Sequence, residues 1–134
     1  MARKKNQETG TLTKSEEQVM QSLWTLGKGF AGEVASNVDE PKPAYRTVLS
    51  IIRILESKGF VGHQEYNGNN QYFPIVSKEK YSGQMLGLLM KNYFGASYSS
   101  LVSFFLKDKN ISSQDLDDLS QLIEQTRREK GNKE

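Results

Sequence analysis

Apolar residues first recur at helical spacing in Val19, Met20, Leu23 and Trp24, which fall at i, i+1, i+4 and i+5. Thr13 stands three residues before Glu16, a capping-box pattern that predicts a helix start at Thr13. Gly27 and Gly29 end that stretch. Phe30, Val34 and Val38 then repeat every four residues and predict a short second helix over about 30–38. The run Asp39-Glu40-Pro41-Lys42-Pro43 breaks it, because proline lacks an N–H donor and restricts the residue before it. A third helix is expected from about 43 or 44 to Lys58, with Gly59 as its stop. Val48, Ile51, Ile52 and Leu55 give this helix one aliphatic face; Arg46, Ser50, Arg53 and Ser57 give it a polar one.

After Gly59 the pattern changes. Residues 60–66 and 71–76 are rich in residues that favour extended structure, including Tyr66, Tyr72, Phe73, Ile75 and Val76. Asn67-Gly68-Asn69-Asn70 between them predicts a hairpin, since Asn and Gly tolerate the positive φ of a tight turn. Pro74 suits an edge strand or a strand end. Three helical segments then follow. Ser77 caps the first, over 78–94; the second spans about 97–107; Ser112-x-x-Asp115 opens the third. Residues 1–11 read as a polar tail in which Arg3, Lys4 and Lys5 are either solvated or near phosphates. No internal repeat is visible.

The expected fold class is mainly α with a small β-hairpin wing: a winged helix-turn-helix over 12–77, followed by a C-terminal helical dimerisation region over 78–126, with 127–134 a frayed charged tail. A recognition helix in a major groove needs slim residues for close approach and donors for phosphates and base edges. The polar side of the third helix meets that need. The candidate DNA-binding residues are Lys42, Tyr45, Arg46, Thr47, Ser50 and Arg53, with Asn67, Asn69 and Asn70 on the wing. Arg46 and Arg53 are two turns apart, roughly 10 Å. The wing residues carry no charge, so they add little salt-dependent affinity. His63 reads as a strand surface residue.

Net charge is +2, from 18 basic and 16 acidic residues, so a nucleic-acid site must come from local arrangement rather than a global field. With 36% hydrophobic residues in 134, the chain has modest cores, and pairing helps bury the remainder. The candidate dimer interface comprises Leu86, Leu89, Met90, Phe94, Leu101, Val102, Phe105, Leu116, Leu119, Leu122 and Ile123. There is no cysteine, which excludes disulfides, thiolate metal sites and cysteine nucleophiles. A single histidine excludes a multi-histidine metal site. No cofactor or metal is expected, and no nucleophile–base pair or phosphate-cradling loop points to an enzyme. No signal peptide or run of ~20 apolar residues is present, so no membrane insertion and a cytoplasmic location are expected.

The ordered pieces Leu12-Thr13, Glu16-Glu17-Gln18-Val19-Met20, Leu23-Trp24, Tyr45-Arg46-Thr47-Val48, Leu55-Glu56-Ser57-Lys58-Gly59, Tyr72 to Glu79, and Leu101-Val102-Ser103-Phe104-Phe105 resemble the penicillinase repressor family of bacterial regulators, the BlaI/MecI type. The resemblance covers about residues 11–125. It implies a homodimer on double-stranded palindromic operator DNA, with interlocked C-terminal helices. It also implies induction by cleavage within those helices, triggered by a membrane sensor with a metalloprotease domain. The matching bond is Ser103–Phe104, where the antibiotic-resistance branch carries Asn before the Phe. The cysteine-rich tail of the copper-responsive branch is absent. The alternative reading is a winged-helix protein-interaction module without specific DNA binding.

Overall fold

A computed structural model describes residues 10–133. Helix α1 (Lys14–Leu26) begins at the expected capping box: the Thr13 hydroxyl accepts from the Glu16 N–H at 3.1 Å, and the Glu16 carboxylate accepts from the Thr13 N–H at 2.9 Å. Gly27, at φ 83°, closes the helix with its N–H on the Leu23 carbonyl. A positive φ of this kind is open to glycine at little cost.

The second helical segment departs from expectation at its start. Gly29–Phe30 is a short strand, β1, and only Ala31–Ser36 is helical, as α2. The Glu33 carboxylate accepts the Phe30 N–H at 2.8 Å, so the helix starts after Phe30. Phe30 instead pairs with Gln71, and Gly29 with Tyr72. Two residues cannot show a period, which is why the pattern missed them. Helix α3 (Tyr45–Ser57) follows; then β2 (Val61–Tyr66) and β3 (Asn69–Pro74) form the hairpin. The sheet is antiparallel with order β1-β3-β2. Tyr66 faces Asn69, so the loop is two residues, Asn67 at φ 53° and Gly68 at φ 84°. Asn69 and Asn70 thus belong to β3 rather than to the turn, and the strand begins two residues earlier than expected. Mainly helical structure with a small hairpin wing is a winged helix-turn-helix.

One core unites these elements. Val19, Met20 and Leu23 of α1, Val34 of α2, Val48, Ile52 and Leu55 of α3, Phe60, and Val61 of β2 are buried together. The Ser22 hydroxyl, buried on α1, donates to the Val34 carbonyl at 2.8 Å, tying α1 to α2. Helix α4 (Lys78–Tyr93) supplies Tyr81 to the same core, where its ring lies 5.7 Å from Phe60 and 6.0 Å from Trp24. Its hydroxyl accepts the Leu12 N–H at 2.9 Å. The chain divides into two compact units between Leu86 and Gly87, inside α4. Helices α5 (Tyr98–Leu106) and α6 (Ser113–Lys133) belong to the second unit. Helix α6 opens on a reciprocal Ser112–Asp115 cap and runs past residue 126, where fraying was expected, to Lys133. Local pairs on its surface, such as Gln125–Glu129 and Arg127–Glu124, support the extra turns. Arg3, Lys4 and Lys5 lie outside the described residues.

Glu16 does more than cap. Its buried carboxylate also takes the Lys58 ammonium at 2.7 Å, joining the start of α1 to the end of α3. Burial pushes its pKa up. The Lys58 contact and the Thr13 hydrogen bonds outweigh this and hold the pKa below the ordinary 4.5. A carboxyl whose folded pKa is depressed stabilises the fold above its unfolded pKa and loses that contribution as pH falls through the folded value. Urea titrations should therefore show wild-type stability dropping below about pH 4.5. Glu16→Gln should cost about 1–3 kcal/mol at pH 7 and show a flatter acid limb. Parallel acid limbs in the two proteins would disprove the assignment.

Candidate nucleic-acid interface

Helix α3 has no side-chain cap, and its N-cap is Ala44, preceded by Pro43. The hydrophobic face buries Val48, Ile52 and Leu55, which fixes the rotation of the helix and turns Arg46, Thr47, Ser50, Arg53 and Ser57 to solvent. Neither Arg46 nor Arg53 makes an ion pair or side-chain hydrogen bond among the described residues. Tyr45 is 55% exposed at the first turn.

Lys42 is exposed and also bonds to its own loop. Its ammonium donates to the Ser36 carbonyl at 2.9 Å and the Val38 carbonyl at 2.6 Å. It therefore closes the loop after α2, where helix carbonyls lack partners. Nothing in the spacing signals this, because the partners are backbone atoms.

On the wing, Asn67 occupies the left-handed turn position, while Asn69 and Asn70 flank the turn on β3. Gly68, Asn69 and Asn70 face Tyr45, Leu49 and Arg53 across a cleft of about 340 Å³. The α3 members recur at i, i+4 and i+8, so a single ridge of the helix looks at the wing. Arg53 thus belongs to this ridge as well as to the polar stripe. His63 Nδ1 contacts the Glu56 carboxylate and couples β2 to α3, a pairing the sequence reading missed. The His63 ring also stands edge-on to Tyr72 at 5.8 Å. Phe30 and Tyr66 stack obliquely at 6.2 Å and brace the outer part of the hairpin.

The second unit presents apolar side chains. Helix α5 contains no buried residue at all, although its sequence is YSSLVSFFL. Leu89 of α4 and Leu116, Leu122 and Ile123 of α6 are exposed, the last two at 59% and 53%. Phe94, Leu101, Val102, Phe105 and Leu119 are half-buried. Met90 is buried within the single chain, so it backs the surface rather than lining it. Leu88, Tyr93, Tyr98, Phe104 and Leu106 are exposed as well. Phe104 is 67% exposed, edge-on to Phe94 at 5.6 Å. Leu86 is exposed too, but lies in the first unit. Among the described residues no group of three His, Asp or Glu side chains is placed to hold a metal ion, and no helix is long and apolar enough to cross a membrane.

The sequence model of the penicillinase repressor family matches residues 12–125. The chain belongs to the penicillinase repressor family. That span takes in the whole winged helix and most of the C-terminal helices. Among its relatives, the methicillin resistance regulatory protein MecI of Staphylococcus aureus (strain N315) is 20% identical over 116 residues, 86% of this chain and 94% of MecI. MecI of Mammaliicoccus sciuri is 19% identical over 116 residues, with the same coverage. A solved structure of Bordetella bronchiseptica BpsR, whose DNA binding is regulated by 6-hydroxynicotinic acid, covers 91% of this chain and 82% of its own at TM-score 0.45 and 14% identity. That likeness is too loose to carry an argument. As a winged-helix member of the penicillinase repressor family, the protein is a transcriptional regulator in general role.

Proposed function

We propose that the protein is a sequence-specific repressor acting as a homodimer on a palindromic operator. The observation that carries this reading is the two-sidedness of α3: an aliphatic face buried to zero exposure at Val48 and Ile52, and an opposite face of small hydroxyls and arginines that are unpaired among the described residues. Two such helices enter successive major grooves about 10 bp apart, or a small multiple of that. Arg46, Thr47 and Ser50 meet base edges or phosphates; Tyr45 packs on the backbone or a thymine methyl; Asn67, Asn69 and Asn70 meet the sugar-phosphate or the minor groove. Lys42 acts as a brace for the loop, with one donor left for a phosphate.

Homodimerisation accounts for the exposed apolar side chains of the second unit, since surfaces of this kind mark interaction sites. Leu122→Ala should weaken the dimer on the order of tenfold or more by sedimentation, each subunit losing one buried leucine. A dimer constant equal to wild type would remove Leu122 from the interface. Relief of repression by a membrane sensor metalloprotease would act at Ser103–Phe104 in α5. A protease needs extended backbone, so this cut requires α5 to unwind locally. Mass analysis after co-expression with the sensor tests it.

The main test is selection of bound duplexes from a random pool, followed by gel shifts at several salt concentrations. The repressor reading expects a two-fold symmetric site and salt-sensitive binding. No salt-sensitive binding at micromolar protein would instead favour a winged-helix protein-interaction module.

A further inference from the structure

The cleft between α3 and the wing has one charged residue on its walls, Arg53. The remaining polar side chains are the Asn69 and Asn70 amides and the Tyr45 and Tyr72 phenols, all neutral donors. Arg53 is exposed and has no ion pair or side-chain hydrogen bond among the described residues. Arg46 does not line the cleft, although it lies two turns away on nearly the same side of the helix. The major and minor grooves of a duplex are separated by one sugar-phosphate strand. A helix seated in the major groove and a hairpin reaching the adjacent minor groove must straddle that strand. The cleft is the space left for it.

Resting on the repressor reading above, we propose that this cleft seats a single DNA phosphodiester, held by the Arg53 guanidinium with the wing amides beside it. One guanidinium matches the single charge of a phosphodiester, and its planar fork suits two phosphate oxygens. About 340 Å³ is ample for the group and its neighbouring sugars. Arg53 therefore positions α3 on the duplex and reads no base. The division of labour follows: Arg46 specifies, Arg53 places.

The test uses the full-length protein and a duplex that the wild type selects from a random pool. Arg53→Gln should bind that duplex about tenfold more weakly, with the same loss on every single-base variant of it. The slope of log affinity against log salt should become shallower by about one for each phosphate that Arg53 neutralises in the wild type. Arg53→Lys should keep the slope while binding several-fold more weakly, because charge remains and the fork is gone. Neutral methylphosphonates placed one at a time along the backbone should reveal one position per half-site that weakens wild type and leaves Arg53→Gln unaffected. Unchanged melting temperatures show that both variants fold, as expected for an exposed side chain. An Arg53→Gln effect confined to one base pair would overturn the proposal while leaving the repressor reading intact, as would an unchanged salt slope. Millimolar inorganic phosphate shifting the cleft resonances of wild type, with no methylphosphonate position coupled to Arg53, would assign the cleft to a free anion instead. Failure of the wild type to select any sequence would remove the repressor reading and this proposal together.

Discussion

Replacing Tyr81 by alanine should destabilise the winged-helix unit by about 3–5 kcal/mol, the range for emptying a buried aromatic site. The ring is 5% exposed and lies between Phe60 and Trp24. Its removal leaves both neighbours facing a void that the surrounding backbone fills only in part. The Leu12 N–H loses its acceptor as well. Tyr81→Phe isolates that second effect: it keeps the ring and removes the oxygen, and should cost about 1–2 kcal/mol. Urea denaturation followed by tryptophan fluorescence reads both, since Trp24 is the chain's one tryptophan and touches the site. Loss from Tyr81→Ala of under about 1 kcal/mol, well below the range for such a site, would mean that α4 does not dock on this core as described.

Arg46→Ala acts on binding and leaves folding alone. Arg46 is exposed on α3 and makes no ion pair among the described residues, so the melting temperature should hold. A bidentate arginine on guanine contributes about 1–3 kcal/mol of discrimination. Two copies act in the proposed dimer, so affinity for the selected operator should fall on the order of a hundredfold or more. The loss should concentrate at one base pair in each half-site, and other bases there should become tolerated. Arg46→Lys should not restore the preference, because an ammonium lacks the planar fork. Wild-type affinity and base preference in Arg46→Ala would show that this side chain reads nothing. The contrast with Arg53→Gln, whose loss is uniform over sequence, separates the two arginines in one set of gel shifts.

Long periodic segments were legible in the sequence, and short or long-range features were not. Val48, Ile52 and Leu55 named the buried face of α3, and the Thr13–Glu16 pair named the N-cap of α1, because each signal is local. Asn67-Gly68 announced the hairpin through backbone chemistry alone. The strand at Gly29–Phe30 escaped because two residues have no period and their partners stand more than forty positions away. The loop contacts of Lys42 escaped because a lysine beside a recognition helix and a lysine closing a loop look alike until the carbonyls are located. Glu16–Lys58 and Glu56–His63 depend on α1 meeting α3 and β2 meeting α3, which no local pattern encodes. The outward polar side of α3 could be read from the sequence. That Arg53 shares a ridge with Tyr45 and Leu49 opposite the wing needed the hairpin in place.

Helix α5 hides none of its nine residues inside its own chain. In the proposed dimer this makes abundance self-policing. A newly made subunit that has not met another carries adhesive, poorly protected helix, open to degradation and to mispairing. At low expression most chains are solitary, and the paired form grows with the square of their concentration. Occupancy of a target would then switch on over a narrower range of protein level than any single-chain binder allows.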